Sequence, residues 1–296
     1  MSTTSLQDYL MFLKSHMKRI ISLGLALAAL VASVSLFIPN TYKSTAVLTP
    51  TRENFGGESS SQLGSIAQSI GFGSSSASQL DFARNYFRSY SFLANFIYEF
   101  DLIDEILMLK TYDKTKNELI LYKNAEQYTN EAVFPDGIID YSHPKLQKAV
   151  KEFRKIASFS PGRENDPSNY LSVVHQSPYF ANFLCKNLII SLNRDIANID
   201  IEKSIDKVKH IESMFDIYDA IEVKRSLSFL VESELTKQVL ASSVDGNSFL
   251  VLDPPVLPID KFSPRRSILT INGFLLGLII SILFFTFKFS RSSYVK

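Results

Sequence analysis

The chain has 296 residues, of which 46% are hydrophobic and 21% are charged, and its 31 basic residues nearly balance 30 acidic ones. This balance excludes the strongly basic footprint of a nucleic-acid-binding domain. One cysteine excludes an internal disulfide and any metal site built from several cysteines, and the four histidines are widely spaced. We therefore expect no metal, no cofactor and no nucleic-acid partner.

The first predicted element is an uncharged apolar segment at residues 20–38, preceded by a tail at 1–19. A membrane-spanning helix needs about 20 predominantly apolar residues, so we predict a transmembrane helix here. A cleaved signal peptide is the alternative, because small residues crowd the stretch from Ala26 to Ser35. The segment exceeds the apolar run of about 7–15 residues in a signal peptide, which favours the membrane helix.

Residues 40–177 are predicted to form a mixed α/β base. The pattern indicates, in chain order, a strand at 42–49, a flexible serine-rich loop over 55–78, a helical region from 80 to 107, a helix over 145–156, and strands at 157–160 and 170–176 joined by a hairpin-like connection at 161–167. Residues 111–144 have weak periodicity, and the sequence predicts no pairing for them.

A long helical hairpin is predicted for residues 178–247. Ser177 and Pro178 are a good helix start, because a capping side chain precedes proline at the first helical position. Apolar residues then recur at helical spacing in two stretches, which a turn at residues 215–219 would separate. No glycine or proline marks that turn, so a single long helix, or ordinary core helices, is the alternative.

Residues 248–267 are predicted to be a returning strand followed by a stiff, extended connector. Proline fixes φ and lacks a backbone donor, and the connector holds four prolines and two adjacent arginines: Pro254, Pro255, Pro258, Pro264, Arg265 and Arg266. It leads directly into a second uncharged apolar segment, 268–287, which we predict to be the second transmembrane helix.

The predicted orientation follows from basic residues at the outer ends of the two apolar segments. These residues are Lys14, Lys18 and Arg19 before the first segment, and Lys288, Arg291 and Lys296 after the second. By the positive-inside rule, the tails 1–19 and 288–296 lie in the cytoplasm and residues 40–267 lie outside. Arg265 and Arg266 are on the wrong side for this rule. The opposite orientation, however, would place the basic residues of both tails on the wrong side.

Four segments carry a family resemblance, in this order: residues 42–50 (YKSTAVLTP); 171–178 (LSVVHQSP); 234–241 (ELTKQVLA) with 249–254 (FLVLDP); and the proline-rich 255–266 entering a glycine-containing apolar segment. Together they resemble the Wzz-type polysaccharide co-polymerases, the chain-length determinants of bacterial surface polysaccharides. The resemblance covers nearly the whole chain. It implies an α+β membrane protein, with two transmembrane helices flanking a periplasmic α/β base and a protruding long-helix hairpin.

The resemblance also implies a function. Such a protein sits in the bacterial inner membrane with both termini cytoplasmic, forms a ring of identical subunits, and is not an enzyme. It acts with the membrane polymerase that builds the O-antigen of lipopolysaccharide or a related glycan, contacts the polymerase or the growing glycan, and sets the length of the product. The nearest alternative is an inner-membrane adaptor for capsule or exopolysaccharide export. A periplasmic sensor is a remote alternative, because the tails are short for an output module.

Small residues in the two apolar segments form candidate packing sites. Gly273 and Gly277 make a GxxxG motif, in which small residues let helix backbones approach closely. We predict that they pack against the first segment, where Gly24, Ala28 and Ala32 form a stripe of small residues; chance occurrence of the motif is the alternative. Asn272 is polar at bilayer depth, and we predict that it forms a hydrogen bond within the helix bundle rather than facing lipid.

The cysteine and the histidines are predicted to have structural or surface roles rather than chemical ones. Cys185 lies on an apolar helix face and is predicted to be a small buried hydrophobe. His143, His175 and His210 fall in different predicted elements with no metal-ligand spacing, so structural or surface roles are expected.

A glycosidase-like pair of carboxylates is the remaining catalytic hypothesis, and Asp101 with Asp104 and Glu105 could mimic one. These residues are predicted to lie on a solvated helix face instead. We therefore predict no catalytic residue.

Overall fold

A computed structural model of the chain describes residues 6–50, 76–162, 168–217, 220–242 and 249–294. The chain divides into a terminal unit, residues 1–42 and 259–296, and a central unit, residues 43–258. Most of the predicted serine-rich loop and of the predicted connection at 161–167 lies outside the described residues, as do Lys296 and the side chains of Lys288 and Arg291.

The described residues form nine α-helices and six strands, plus a 3₁₀ turn at Ala125–Tyr128. In chain order they are α1 (Leu6–Phe37), β1 (Tyr42–Pro50), α2 (Ser76–Arg88), α3 (Tyr90–Glu99), α4 (Ile103–Leu107), β2 (Leu109–Asp113), β3 (Glu118–Leu121), α5 (Asn130–Val133), α6 (Pro144–Ile156), β4 (Ala157–Pro161), β5 (Asn169–His175), α7 (Pro178–Phe215), α8 (Ile221–Ser242), β6 (Phe249–Asp253) and α9 (Arg266–Tyr294). The predicted α+β class, with a long apolar helix near each end, is confirmed.

The terminal unit is built from α1 and α9. Within them, Lys14–Phe37 and Arg266–Phe287 are long and apolar enough to cross a membrane. Both helices extend beyond the predicted apolar segments. In particular, α1 begins at Leu6, so much of the predicted N-terminal tail is helical. Helix continues there because residues 6–19 contain no glycine or proline to end it.

The central unit contains a four-stranded sheet in the order β4-β5-β1-β6. The pair β4–β5 is antiparallel with Phe159 opposite Leu171, and the pair β1–β6 is antiparallel with Leu48 opposite Val251. All four strands were expected from β-branched and aromatic runs, and their existence is confirmed. Their order depends on partners far apart in the chain, so the local pattern could not supply it.

The core of the central unit is rich in phenylalanine. Phe92 and Phe96 on α3, Phe153 on α6 and Phe159 on β4 are almost fully buried. The rings of Phe96 and Phe153 lie 5.7 Å apart between centroids, a distance typical of favourable aromatic pairs. Packing of α3 and α6 thus covers apolar surface that neither helix could bury alone.

The predicted helical region 80–107 is three helices rather than one. Ser89 adopts an extended backbone and its hydroxyl accepts a hydrogen bond from the Phe92 amide, so it ends α2 and caps α3. Asp101 has a φ of 49°, which interrupts the helical conformation a second time, between α3 and α4. The apolar spacing continues across both breaks, and this continuity hid them from the sequence pattern.

The segment 111–144, whose pairing the sequence did not predict, contains most of a small antiparallel hairpin, the 3₁₀ turn and α5. In the hairpin, Tyr112 lies opposite Leu119. Asn117 has a φ of 58°, a backbone conformation that asparagine tolerates better than most residues. Gly137 has a φ of 66° in the turn that Pro135-Asp-Gly had indicated.

The helices α7 and α8 pack against each other as a hairpin, and the alternative of one continuous helix is wrong. The helix α7 ends at Phe215 and α8 begins at Ile221, while Ser204 on α7 bonds to Glu234 on α8. The first half of α7 belongs to the core, because residues such as Leu188 and Ile196 are fully buried there. Only the second half of α7 therefore pairs with α8.

Candidate functional site

The helices α1 and α9 of the terminal unit are in close contact at Gly24 and Gly277. A Cβ added at Gly277 would lie 2.8 Å from the Gly24 Cα atom and 3.1 Å from the Leu27 Cβ atom. A Cβ added at Gly273 would lie 2.9 Å from the Val31 Cβ atom. Real Cβ atoms do not approach other carbons this closely, so this contact requires glycine.

Other small residues of α1 follow the same face. Ala28 is buried, and the Ser35 hydroxyl is buried with no hydrogen-bond partner among the residues that the structure describes. Asn272 does not fit the predicted bond inside the helix pair: it is exposed, and the described part of the chain gives it no hydrogen-bond partner. One helical residue corresponds to a rotation of about 100°, so Asn272 points away from the face that Gly273 occupies.

The predicted connector is stabilised by hydrogen bonds to the segment that follows α1. Residues 254–259 have no regular secondary structure. Within the central unit, the Ser44 hydroxyl donates to the carbonyl oxygen of Val256 at 3.1 Å. Within the terminal unit, the Thr41 amide donates to the Ser263 carbonyl oxygen at 2.8 Å. Each bond joins the connector to the segment that follows α1, within one unit.

The hairpin of α7 and α8 has a polar interior that the sequence did not reveal. Glu234 is 2% exposed, and the Ser204 hydroxyl lies 3.0 Å from its carboxylate. The Lys207 ammonium lies 3.8 Å from the other carboxylate oxygen, and the Gln238 amide donates to Ser204. A buried carboxylate is costly unless it is paired and hydrogen-bonded; these groups provide both. The available signal was the helical spacing of Glu234 with Leu227 and Leu230.

A cavity of about 510 Å³ opens between the end of α7 and residues 228–239 of α8. We name it the hairpin groove; its lining residues are Glu212, Phe215, Ser228, Val231, Glu232, Leu235, Thr236 and Val239. Its surface is mainly apolar, and 47% of Leu235 and 68% of Val239 are exposed. Neighbouring apolar side chains left open in this way are typical of surfaces that bind another protein.

A network of charged and polar groups joins α2 and α3 to α7. The Arg194 guanidinium donates two hydrogen bonds of 2.7 Å to Glu99 and one of 3.3 Å to Asp195. The Tyr86 hydroxyl donates to Asp195 at 3.2 Å. Hydrogen bonds from Arg194 lower the pKa of Glu99, and burial together with the nearby Asp195 carboxylate raises the pKa of Tyr86 to about 12. These hydrogen bonds and ion pairs hold α2 and α3 against α7, which is a structural role.

The cysteine and two of the histidines have structural surroundings. Burial raises the pKa of the Cys185 thiol to about 12, which makes it a poor nucleophile. Burial lowers the pKa of His175 to about 4, and its Nδ1 accepts from the Ser177 amide. His143 caps α6, while His210 is exposed on α7. The described residues contain no cluster of potential metal ligands.

The acidic residues near α4 differ from their predicted solvated face. Burial, with added repulsion from Asp104 and Asp101, raises the pKa of Glu105 to about 7. One oxygen of Glu105 is buried without a hydrogen-bond partner among the described residues. The prediction was wrong for Glu105 because α4 packs against α6, a contact that helical spacing alone does not reveal. Asp104 is also partly buried, and burial raises its pKa.

Of the comparisons with known proteins, the one with solved structures gives matches. No family model and no curated protein matches the chain. Among solved structures, a full-length bacterial polysaccharide co-polymerase matches with a TM-score of 0.40 and 12% identity, over 98% of this chain and 99% of that one. It belongs to the class of protein that the sequence resembles. At that TM-score and identity, the match assigns neither a function nor any residue role to this chain.

Proposed function

We propose that the chain is a non-enzymatic regulator of the chain length of O-antigen, or of a related surface polysaccharide, and that it acts with the membrane polymerase as a homo-oligomeric scaffold. The observation that carries the proposal is where the family-like segments lie. Residues 42–50 are β1, and its two neighbours in the sheet are β5, which overlaps the segment 171–178, and β6, which lies within the segment 249–254. Segments far apart in the chain thus form adjacent strands, which supports a shared architecture rather than chance likeness.

A location in the bacterial inner membrane is part of the proposal, with both termini cytoplasmic and residues 40–267 periplasmic. Two helices of sufficient length and apolarity support it. The antiparallel packing of α1 and α9 at Gly24 and Gly277 supports placing both chain ends on one side. Three basic residues lie near the start of the first span: Lys14, Lys18 and Arg19. By the positive-inside rule, they support assigning that side to the cytoplasm.

The homo-oligomeric scaffold is supported by the exposed surface of the hairpin. The groove leaves Leu235 and Val239 open, and apolar surface of this kind is normally covered by another protein. In the proposed scaffold, hairpins of neighbouring subunits stand together and hold the polymerase or the growing glycan. Extension of the glycan then stops within a defined range of lengths.

Deletion of the gene in its native host tests the proposal, with surface polysaccharide resolved on a gel. We expect the preferred length to disappear while polymer remains, and the full chain to restore it. An unchanged ladder would contradict the proposal. Loss of all surface polymer would instead favour the export adaptor.

A second arm tests the hairpin surface. Complementation with Leu235→Glu/Val239→Glu should fail to restore the preferred length, because two charges would enter the open groove. The matched control is Ile205→Glu, which places one charge on an exposed position outside the groove. Equal behaviour of the groove variant and the control would exclude the groove from the function.

A further inference from the structure

Two adjacent arginines lie where α1 ends and α9 begins. Arg265 directly precedes α9, and Arg266 is its first residue and the first residue of the apolar span. Basic residues at the non-cytoplasmic end of a span oppose the positive-inside trend. In the proposed orientation, both arginines lie at the non-cytoplasmic end of the span. A local interaction must therefore favour them there.

The Arg266 guanidinium is held in place by the end of α1. Its Nη2 atom donates to the Asn40 side-chain oxygen at 3.2 Å. Backbone hydrogen bonds of 2.8 Å between Thr41 and Ser263, and between Phe262 and Thr41, hold the two segments together beside it. Fixing a long side chain in this way reduces the entropy that it loses when a ligand binds.

Neither arginine is neutralised within the described part of the chain. No carboxylate there forms a salt bridge with either guanidinium, and Arg265 is exposed. The Nε atom of Arg266 is buried and has no hydrogen-bond partner among these residues. Two cations with free donors at one place are suited to binding an anion with several oxygen atoms.

The surroundings of the arginines indicate the depth at which that anion lies. Large apolar side chains of the terminal unit are exposed around this end: Phe37 at 89%, Ile38 at 45%, Ile259 at 93%, Phe262 at 43% and Ile268 at 47%. Such residues are stable in contact with acyl chains rather than water. The arginines beside them then lie at the level of the lipid headgroups, where the phosphates are.

We infer that Arg265 and Arg266 form a binding site for the phosphate group of a membrane lipid. A planar guanidinium pairs with two phosphate oxygens at once, and the headgroup region provides phosphates at the depth of the arginines. The lipid is either a phospholipid of the bilayer or a polyprenyl phosphate; both present the same chemistry. The inference depends on membrane insertion and not on the proposed control of chain length.

Native mass spectrometry of the full chain in detergent tests the inference, with phosphatidylglycerol and undecaprenyl phosphate as probes in separate titrations. We expect Arg265→Gln/Arg266→Gln to lower the lipid affinity about thirtyfold, since each interfacial cation contributes about 1 kcal/mol and about 1.4 kcal/mol corresponds to a factor of ten. Lys18→Gln/Arg19→Gln is the matched control, because it removes two charges from the same helix pair at the opposite end. It should lower binding less than about twofold.

Asn40→Ala gives a second arm that leaves the charge unchanged. Freeing Arg266 should weaken lipid binding by about threefold, because the guanidinium is no longer pre-positioned. Loss of one probe and not the other identifies the lipid source, and loss of both assigns the site to phosphate in general. Equal losses in the arginine variant and the control would overturn the inference. So would full competition by inorganic phosphate at the concentration of the lipid.

Discussion

The chain contains two pairs of antiparallel helices that associate in opposite ways. The terminal pair, α1 with α9, meets at glycines, where Gly277 lies against Gly24 and Gly273 lies against Val31. The hairpin pair, α7 with α8, places Ser204 and Glu234 inside. Lipid is as apolar as leucine, so helices in a bilayer gain little from burying apolar surface and depend on close packing. Helices in water gain from burial, and buried polar pairs then select a register.

The largest expected effect comes from adding bulk to the glycine contact. Gly277→Leu should open the terminal pair at a cost of about 3 kcal/mol, because even a Cβ would lie 2.8 Å from the Gly24 Cα atom. Cysteines introduced at Thr41 and Ser263, whose backbones are bonded across the end of the pair, report closure by disulfide yield. The control Asn272→Leu places the same leucine side chain at an exposed position of the same helix and should leave the yield unchanged. Equal yields in all three proteins would remove the contrast between the two pairs.

The second prediction concerns the polar interior of the hairpin. Ser204→Ala should lower the free energy of unfolding by about 1–3 kcal/mol, because the buried Glu234 carboxylate loses a donor. Ser228→Ala is the matched control: its hydroxyl bonds only to the Lys224 carbonyl oxygen of its own helix. Thermal unfolding of the full chain in detergent, followed by circular dichroism, measures both. A Ser204 variant as stable as the control would mean that the buried carboxylate does not need this partner.

The third prediction concerns Glu105. Unlike the Glu234 carboxylate, which accepts a hydrogen bond from Ser204, Glu105 has a buried oxygen that lacks a hydrogen-bond partner among the described residues. The folded pKa of Glu105 is raised to about 7, so folding favours its protonated form. Stability from this group is therefore complete below the unfolded pKa of about 4.5 and is lost as pH rises toward 7. Glu105→Gln should stabilise the protein by about 1–2 kcal/mol at pH 8 and change little at pH 4. A gain that is the same at both pH values would contradict the raised pKa.

The smallest expected effect is at an exposed ion pair on α7. Lys209→Met removes the ammonium group that lies 3.9 Å from the Asp206 carboxylate, where both side chains are more than two-thirds exposed. Such pairs contribute about 0–1 kcal/mol, so we expect a change below about 0.5 kcal/mol in the unfolding experiment. A loss as large as that of Ser204→Ala would show that the outer hairpin charges matter as much as the inner ones.

Some of the candidate site was predictable because its signals are local. The GxxxG spacing identified Gly273 and Gly277 as candidates for close packing, and the structure places them against α1. The lack of helix or strand at residues 254–259 was predictable because proline fixes φ and lacks a backbone donor. Asn272 was not predictable in the same way, since a shift of one residue on a helix moves a side chain from the contact face to the outside.

The sequence by itself determined where the apolar helices lie, that strands occupy 42–49 and 157–160, and that a helix starts after Ser177. Composition, β-branched runs and capping residues act within a few positions of the chain, so their effect can be read without knowing any distant partner. The tertiary structure alone decided the strand order, the breaks at Ser89 and Asp101, and the burial of Glu234 and Glu105. These features depend on which distant segments meet, and the free energy of each contact belongs to both partners at once.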